Sequence, residues 1–292
     1  MHSKMTRGEK AFNVANIILL TLLCLTMLYP YVHSLAMSLS DRWDVTRGSV
    51  ILIPKGFNLQ SYDYIFSNSL FWNALGLTVL ITVVGTAFSV LMTCLLAYPM
   101  ANRHFKLRNF LMVMVVITMF FSGGLIPTFL LYKALGLIDN FLVFIIPQAI
   151  STWSLIILVS FFRQIPEEIE EAAQLDGASE FKTLFRVIVP MSLPSIATIT
   201  LWYIVGYWNT FSTSIYYTTS PSLRTLQVVL YSIQQDAGRI LDQGTHTASM
   251  ASMTSDSLQA AWIMCVTVPI LVVYPFLQKY FVQGVTVGAL KG

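Results

Sequence analysis

The amino-acid sequence predicts an all-α integral membrane protein with six transmembrane helices and both termini in the cytoplasm. Composition is the first reason: of 292 residues, 55% are hydrophobic and only 11% are charged, whereas soluble domains carry about 25% charged residues. Charges are also absent from long blocks of the chain, and the Lys and Arg residues are unevenly shared between alternate loops. These two further observations predict the number of spans and their direction.

Six stretches contain no Asp, Glu, Lys or Arg. Each holds the roughly 20 apolar residues that a helix needs to cross a bilayer. The charged residues that bound these stretches are Lys10 and Asp41, Asp63 and Arg103, Arg108 and Lys133, Asp139 and Arg163, Arg186 and Arg224, and Asp256 and Lys279. We predict transmembrane helices over residues 12–38, 71–100, 108–131, 141–162, 193–217 and 258–280.

The distribution of Lys and Arg predicts the orientation of these helices. With the N-terminus inside, the cytoplasmic segments carry eleven of the 17 cations, and the longer external segments carry six. Because cytoplasmic loops are enriched in Lys and Arg, both termini are expected inside. Segment 163–193, between spans 4 and 5, then lies in the cytoplasm, and segment 218–257 lies outside. We expect residues 1–292 to form one transmembrane domain.

Prolines fall inside or at the ends of several predicted spans, at Pro127, Pro147, Pro269 and Pro275. Proline kinks a membrane helix and frees a carbonyl group, which a neighbour or a cavity must satisfy. The pair at 123–124 is Gly-Gly, which adds another weak point in span 3. Such breaks suit helices that line a path and move, although ordinary structural prolines are also common in spans.

The external loops carry weaker signals. Residues 40–70 are expected to be largely irregular, with a short interfacial helix near 62–66. Asp139 and Asn140 are expected to cap the start of span 4 by accepting hydrogen bonds from its free N–H groups. Segment 218–257 is about 40 residues long, more than a simple connection needs, which favours a binding or docking role.

Several kinds of chemistry have no motif in the sequence. There is no phosphate-binding G-x-x-x-x-G-K-[ST] loop, and the four histidines and three cysteines show no metal-ligand spacing. No cofactor or metal is therefore expected, and the net charge of +3 is too small to favour nucleic acid. No Asp, Glu, Lys or Arg lies deep in a predicted span. Ion-coupled carriers usually place such groups there, so a self-powered carrier is disfavoured.

The most informative segment is 165–194, which holds six of the fourteen acidic residues. Four glutamates follow Pro166, where the positive end of a helix dipole stabilises them. Ile165, Ile169, Ala172 and Ala173 recur at helical spacing and predict a narrow apolar face.

The same segment predicts a turn at Asp176-Gly177 and a second helix over about 179–187 that ends at Pro190. The acidic helix could lie on lipid headgroups, but helices that do so are typically basic. The pattern favours a surface that another protein binds.

The order Glu171-Ala172-Ala173, then Asp176-Gly177-Ala178-Ser179, then Pro190 and Pro194, resembles the EAA loop of ABC importer permeases. In that family the loop forms a coupling helix that sits in a cleft of the ATPase subunit. The resemblance implies that ATP is hydrolysed on separate subunits and that this chain is no enzyme itself. It assigns ATPase coupling to Glu170, Glu171, Ala172, Ala173, Asp176, Gly177 and Ala178, with Pro190 and Pro194 at the end of the motif.

The resemblance extends over essentially the whole chain, which is similar to the smaller permease of the maltose-type carbohydrate uptake class. Residues 121–128, 135–139, 274–281 and the closing Lys291-Gly292 resemble one subgroup that imports polysaccharide-derived oligosaccharides, such as alginate and pectin fragments. This implies a bacterial plasma membrane location, a second permease in a heterodimer, two ATPase subunits, an external solute-binding protein and an oligosaccharide substrate.

Aromatic residues of span 5 are chemically suited to stack on sugar faces along a transport path: Trp202, Tyr203, Tyr207 and Trp208. Aromatic residues in spans more often pack against neighbouring helices. Two other functions stay open, a secondary sugar carrier or channel that acts alone, and a non-transporting membrane scaffold whose acidic hairpin recruits a cytosolic partner.

Overall fold

The computed structural model describes residues 6–242 and 253–289, and within those ranges the chain is helical with no β-strand. The predicted all-α class is therefore confirmed. The described residues fall into two compact units. One takes its residues from Met1–Ser69 and Leu230–Val268, and the other from Leu70–Val229 and Pro269–Gly292.

The helices differ widely in length, from single turns to more than nine turns. In chain order they are α1 (Arg7–Ser38), α2 (Arg42–Thr46), α3 (Gln60–Ser67), α4 (Ser69–Ala101), α5 (Arg108–Phe120), α6 (Leu125–Ala134), α7 (Leu142–Ile145), α8 (Thr152–Phe162), α9 (Glu167–Leu175), α10 (Glu180–Thr183), α11 (Val189–Met191), α12 (Leu193–Trp208), α13 (Ser212–Tyr217), α14 (Leu226–Asp242) and α15 (Ser255–Ala289). A π-helical turn, Leu184–Ile188, joins α10 to α11, and a 3₁₀ turn, Pro221–Leu223, follows α13.

Three helices among the described residues are long and apolar enough to cross a membrane: α1, α4 and the Ser255–Val273 part of α15. They contain predicted spans 1 and 2 and most of span 6. The bent pair Glu180–Met191 and Leu193–Trp208 would add a fourth span if counted as one. The most apolar window of α1 is 0% buried, as expected of a surface that faces lipid or another subunit.

Predicted spans 3, 4 and 5 are interrupted where we expected single helices. Span 3 divides into α5 and α6 at Gly124, whose φ of +81° suits glycine and cannot continue a helix. Span 4 divides into α7 and α8 around Pro147, which has no N–H to donate. Span 5 divides into α12 and α13 at residues 209–211. The weak points expected at residues 123–124 and at Pro147 are confirmed.

The loop 40–70 is more regular than expected, because it contains α2 and α3. The short helix expected near 62–66 is confirmed as α3. In this first unit, the Tyr62 hydroxyl lies 2.7 Å from Ser38 Oγ, at the end of α1. Ser40 Oγ also accepts a hydrogen bond from the Lys55 N–H at 3.0 Å. These bonds hold the loop against the last turn of α1.

In the second unit, the turn after α6 gives different roles to the two residues that we expected to cap span 4. Asn140 Oδ1 accepts the Leu142 N–H at 3.0 Å, as predicted. Asp139 instead accepts the N–H groups of Thr219 and Ser220, at 2.9 and 2.8 Å, and the Ser220 hydroxyl. The carboxylate therefore anchors the chain that follows α13. These hydrogen bonds hold the pKa of Asp139 down at about 2.

Close packing in the second unit depends on a glycine of α4. The ring of Tyr207, on α12, lies so near Gly85 that an added Cβ would come within 2.6 Å of it. Tyr207 is 2% exposed, so the ring has no free space into which to move. By contrast, nothing lies within 4 Å of the Cβ position at Gly76 of the same helix.

We expect Gly85→Ala to destabilise the protein by about 1–3 kcal/mol, the usual cost of overpacking a core. Gly76→Ala is the matched control and should be neutral or slightly stabilising, since it replaces a helical glycine in open space. Thermal unfolding of the two purified variants in detergent would check this. Equal unfolding temperatures for both would contradict the close approach of α4 and α12.

We also expect Asp139→Asn to release the segment around Ser220, since an amide is uncharged and accepts weaker hydrogen bonds. Trypsin should then cut faster after the exposed Arg224 at neutral pH. The depressed pKa means that the wild-type carboxylate stabilises the fold at neutral pH and loses this effect only as pH falls toward about 2. Asp63→Asn, an exposed substitution on α3, is the control and should leave that cleavage rate unchanged.

Candidate functional site: the acidic hairpin and an aromatic cleft

The acidic helix predicted after Pro166 is α9. Pro166 occupies the N-cap position, and Glu167, Glu168 and Glu170 lie in the first turn. These carboxylates stabilise the helix because they lie near the positive end of its dipole. The helix therefore begins directly after Pro166 and ends directly before the turn predicted at Asp176-Gly177.

The turn predicted at Asp176-Gly177 is also present. Gly177 adopts a φ of +75°, in the left-handed region that suits glycine. Its N–H donates to Gln174 C=O at 2.9 Å, and the Ala178 N–H donates to Ala173 C=O at 3.0 Å. This pair of bonds is a Schellman motif, which satisfies the last carbonyl groups of α9 and reverses the chain.

The apolar face predicted for α9 is divided between two environments. Ile165, Ile169 and Ala173 are half-buried against the rest of the protein, whereas Ala172 is exposed. Leu175 at the end of the helix is 89% exposed. No residue of α9 is buried. The helix therefore presents Ala172, Leu175 and Glu171 outward.

Three side-chain contacts tie segment 163–193 to the end of α4 and the loop after it, and a fourth joins the two arms of the hairpin. Arg103 Nε lies 3.0 Å from Glu167 Oε1, and Arg163 Nη2 donates to Met100 C=O at 3.1 Å. Glu180 accepts from Tyr98 Oη at 2.8 Å and from Gln174 Nε2 at 3.3 Å.

Sequence reasoning missed Tyr98 and Glu180 as a link between these segments. Glu180 was visible as an acid of the hairpin, but no pattern paired it with a tyrosine 82 positions earlier. The pair connects the helix that begins the return segment directly to a transmembrane helix.

A cleft of about 390 Å³ lies between residues 101–104 and residues 162–174. Glu170 is half-buried at its side. Burial raises the pKa of Glu170, and the nearby charges of Glu180 and Glu167 raise it further. The hairpin therefore concentrates negative charge next to the end of α4.

The return segment differs from the single helix predicted over 179–187. It comprises α10, the π turn and α11, and it continues through Pro190 to Met191. In the π turn the Val189 N–H donates to Leu184 C=O, five residues back. This wider turn lies directly before Pro190, which has no N–H to donate to a carbonyl group of the preceding turn. The chain then bends by 88° into α12, where Pro194 lies in the first turn.

A second cleft, of about 480 Å³, lies beside the interruption between α7 and α8. We call it the aromatic cleft, and its lining residues are Gln148, Ile150, Ser151, Trp153, Ser154, Trp202, Tyr203, Gly206 and Tyr207. Three of the four predicted sugar-path residues line it. The fourth, Trp208, is buried, with 7% of its surface exposed. Within the described residues, no group of three or more His, Cys, Asp or Glu side chains could hold a metal ion.

The chain is similar to known proteins over most or all of its length. Residues 89–287 match the family model described as binding-protein-dependent transport system inner membrane component. The chain is 39% identical to Protein LplC of Bacillus subtilis, over all of this chain and 98% of that protein. It is 40% identical to the polygalacturonan/rhamnogalacturonan transport system permease protein YtcP of Bacillus subtilis, covering 94% of this chain and 96% of YtcP.

A solved structure agrees with these relatives. A chain of a bacterial ABC transporter involved in the import of the acidic polysaccharide alginate superposes with a TM-score of 0.86 at 29% identity. The match covers 96% of this chain and 99% of that one. The family match and the two relatives lead to one conclusion: this chain belongs to the family of binding-protein-dependent transport system inner membrane components.

Proposed function

We propose that this chain forms one half of a heterodimeric pore and that segment 163–193 couples it to ATPase subunits. The chain is a permease component of a binding-protein-dependent ABC importer for sugars or oligosaccharides. It uses six membrane passages with both termini in the cytoplasm of a bacterial cell, and residues 1–292 act as one permease domain. Segment 218–257, of which residues 243–252 lie outside the part of the chain that the structure describes, is the external loop that contacts the solute-binding protein.

The observation that carries this proposal is the exposure of α9, a helix in which no residue is buried. Exposing a leucine and an alanine to water beside glutamates is unfavourable, whereas the cleft of a partner protein would cover these apolar side chains. Two ATPase subunits close on each other when they bind ATP, and each binds one such helix in its cleft. Glu171 pairs with a basic group of the ATPase, while Ala172 and Ala173 let the partner's backbone approach closely. Asp176, Gly177 and Ala178 form the turn.

The contacts of the hairpin supply a route for motion from the ATPase to the membrane helices. Displacement of α9 moves Glu180 through Gln174, and Glu180 is bonded to Tyr98 of α4. The return segment, which carries Pro190 and Pro194, leads directly into α12. A shift of the hairpin therefore reaches two helices that contact each other through Tyr207 and Gly85.

The first experiment is reconstitution. The tagged chain should co-purify with a second permease and an ATPase, and the complex in proteoliposomes should hydrolyse ATP faster when sugar-loaded solute-binding protein is added. Sugar uptake by this chain without an ATPase would instead indicate a carrier that acts alone. A complex in which no sugar raises ATP hydrolysis would indicate a scaffold.

We expect Gly177→Val to reduce sugar-stimulated ATP hydrolysis by about tenfold or more, since valine is strongly disfavoured at positive φ. Nothing lies within 4 Å of the Cβ position at Gly177, so the effect comes from the backbone and not from a clash. Gly177→Asn is the matched control, because asparagine adopts the left-handed region far more readily. It should retain most of the stimulation.

Glu171→Lys should abolish uptake while leaving the permease folded, since Glu171 is exposed and the substitution reverses its charge. Glu171→Gln keeps the shape of the side chain and should retain partial activity. Uptake assays in cells and size-exclusion profiles of the variants would measure both effects. Full uptake by both Glu171→Lys and Gly177→Val would remove the coupling assignment.

A further inference from the structure

The aromatic cleft lies beside irregular backbone in the middle of an apolar stretch. Residues 146–151 separate α7 from α8, and Ser151 lies midway between the charged residues Asp139 and Arg163. At membrane depth, non-helical backbone is tolerated only where protein buries it or where it lines a water-filled cavity. Discontinuous helices of this kind often mark transport sites.

The two tyrosines of α12 satisfy the polar groups of this irregular backbone. Tyr203 Oη accepts the Ser151 N–H at 2.9 Å and lies 2.7 Å from Thr93 Oγ1 of α4. Tyr207 Oη lies 2.8 Å from Ser89 Oγ and donates to Gln148 C=O at 3.4 Å. Both side chains are almost fully buried. They therefore position the break, and their rings are not available to stack on a sugar.

The tryptophans of the cleft are in a different environment. Trp202 is 36% exposed and Trp153 is 54% exposed, so each has part of its flat apolar ring uncovered, and each carries one N–H donor.

Two further residues complete the cleft. Gln148 donates from its side-chain amide to Thr213 at 3.1 Å. Gly206 lies between the aromatic residues of α12, and nothing is within 4 Å of its Cβ position. The space beside Gly206 is open.

The chemistry of this lining suits the face and edge of a sugar ring. None of its residues is charged, so the cleft has no cation to pair with a carboxylate. It offers flat apolar rings, indole N–H groups, an amide and hydroxyls. A sugar ring has an apolar face of C–H groups and an edge of hydroxyls, which matches this combination.

We propose that Trp202, Trp153 and Gln148 form a contact site for the rings of an oligosaccharide in transit, with Tyr203 and Tyr207 as positioning residues. Gly206 keeps the site open. This site rests on the proposed function. Of the four aromatic residues predicted to contact sugar, it keeps only Trp202. It adds Trp153 and Gln148, which were not predicted. Because the lining is uncharged, the site binds ring faces and does not distinguish acidic from neutral sugars.

Cysteine labelling tests whether the cleft is part of a water-filled path. In a complex lacking Cys24, Cys94 and Cys265, single cysteines would replace Trp202 or Gly206 and be treated with a charged, membrane-impermeant thiosulfonate. Val83→Cys is the control, since Val83 lies in the middle of α4 with 62% of its surface exposed. We expect reaction at 202 and 206 and none at 83. No reaction at either cleft position would overturn the proposal.

Uptake kinetics test the contact with sugar. The probe is trigalacturonate presented on the solute-binding protein. We expect Trp202→Ala to raise KM for uptake by about tenfold, and Trp202→Phe, which keeps a flat ring, to raise it by less than about threefold. Gly206→Leu should fill the open space and abolish uptake, whereas Gly76→Leu, also in open space, should transport normally.

The outcomes separate this site from the proposed function. If the parent complex shows no sugar-stimulated ATP hydrolysis, the proposed function fails, and the site fails with it. If the parent transports and both Trp202→Ala and Gly206→Leu keep wild-type uptake, the site alone is overturned. A stable, correctly assembled complex by size exclusion is required for each variant, and the labelled cysteine variants provide a second reading that does not depend on sugar.

Discussion

Every backbone N–H and C=O group in the apolar stretches of this chain must find a partner inside the protein, and the rest of the structure depends on that constraint. Regular helices satisfy it on their own. Where the chain departs from a helix, other groups of the protein must supply the partners. At residues 146–151, the hydroxyls of Tyr203, Tyr207 and Ser89 accept from or donate to the free backbone groups. The break is thus built into the packing of α4, α8 and α12.

Hydroxyl bonds and close packing connect these helices, and charge contributes little. The ion pair between Arg103 and Glu167 is exposed on both sides, so it is worth only about 0–1 kcal/mol. Tyr207 packs so closely on Gly85 that a Cβ added there would lie 2.6 Å from its ring. An uncharged contact of this kind holds α4 and α12 together without the desolvation cost of a buried charge. The acidic hairpin is different, because its charges lie at the surface, within reach of a partner.

The sequence predicted some features well for identifiable reasons. Charge-free blocks predicted where α1, α4 and α15 lie, because a long uninterrupted apolar helix can be recognised from its length and composition alone. A glycine after a glutamate-rich helix predicted the turn at Gly177, because such a turn is formed by residues that are neighbours in the sequence. Sequence alone could not show how Tyr203 and Tyr207 differ from Trp202. All are aromatic residues of one helix, and which side chain is bonded and which is uncovered depends on α4 and on the break at Pro147.

By itself, then, the sequence determined the helical class, the positions of the long apolar helices, the acidic hairpin and its glycine turn. These follow from composition and from interactions between residues a few positions apart. Only the tertiary structure decided that Asp139 anchors Ser220, that Glu180 bonds Tyr98, and that an uncharged aromatic cleft opens beside residues 146–151. The physical reason is that these contacts join residues about 50 to 80 positions apart, and a hydrogen bond or a cavity between such residues leaves no periodic trace in the chain.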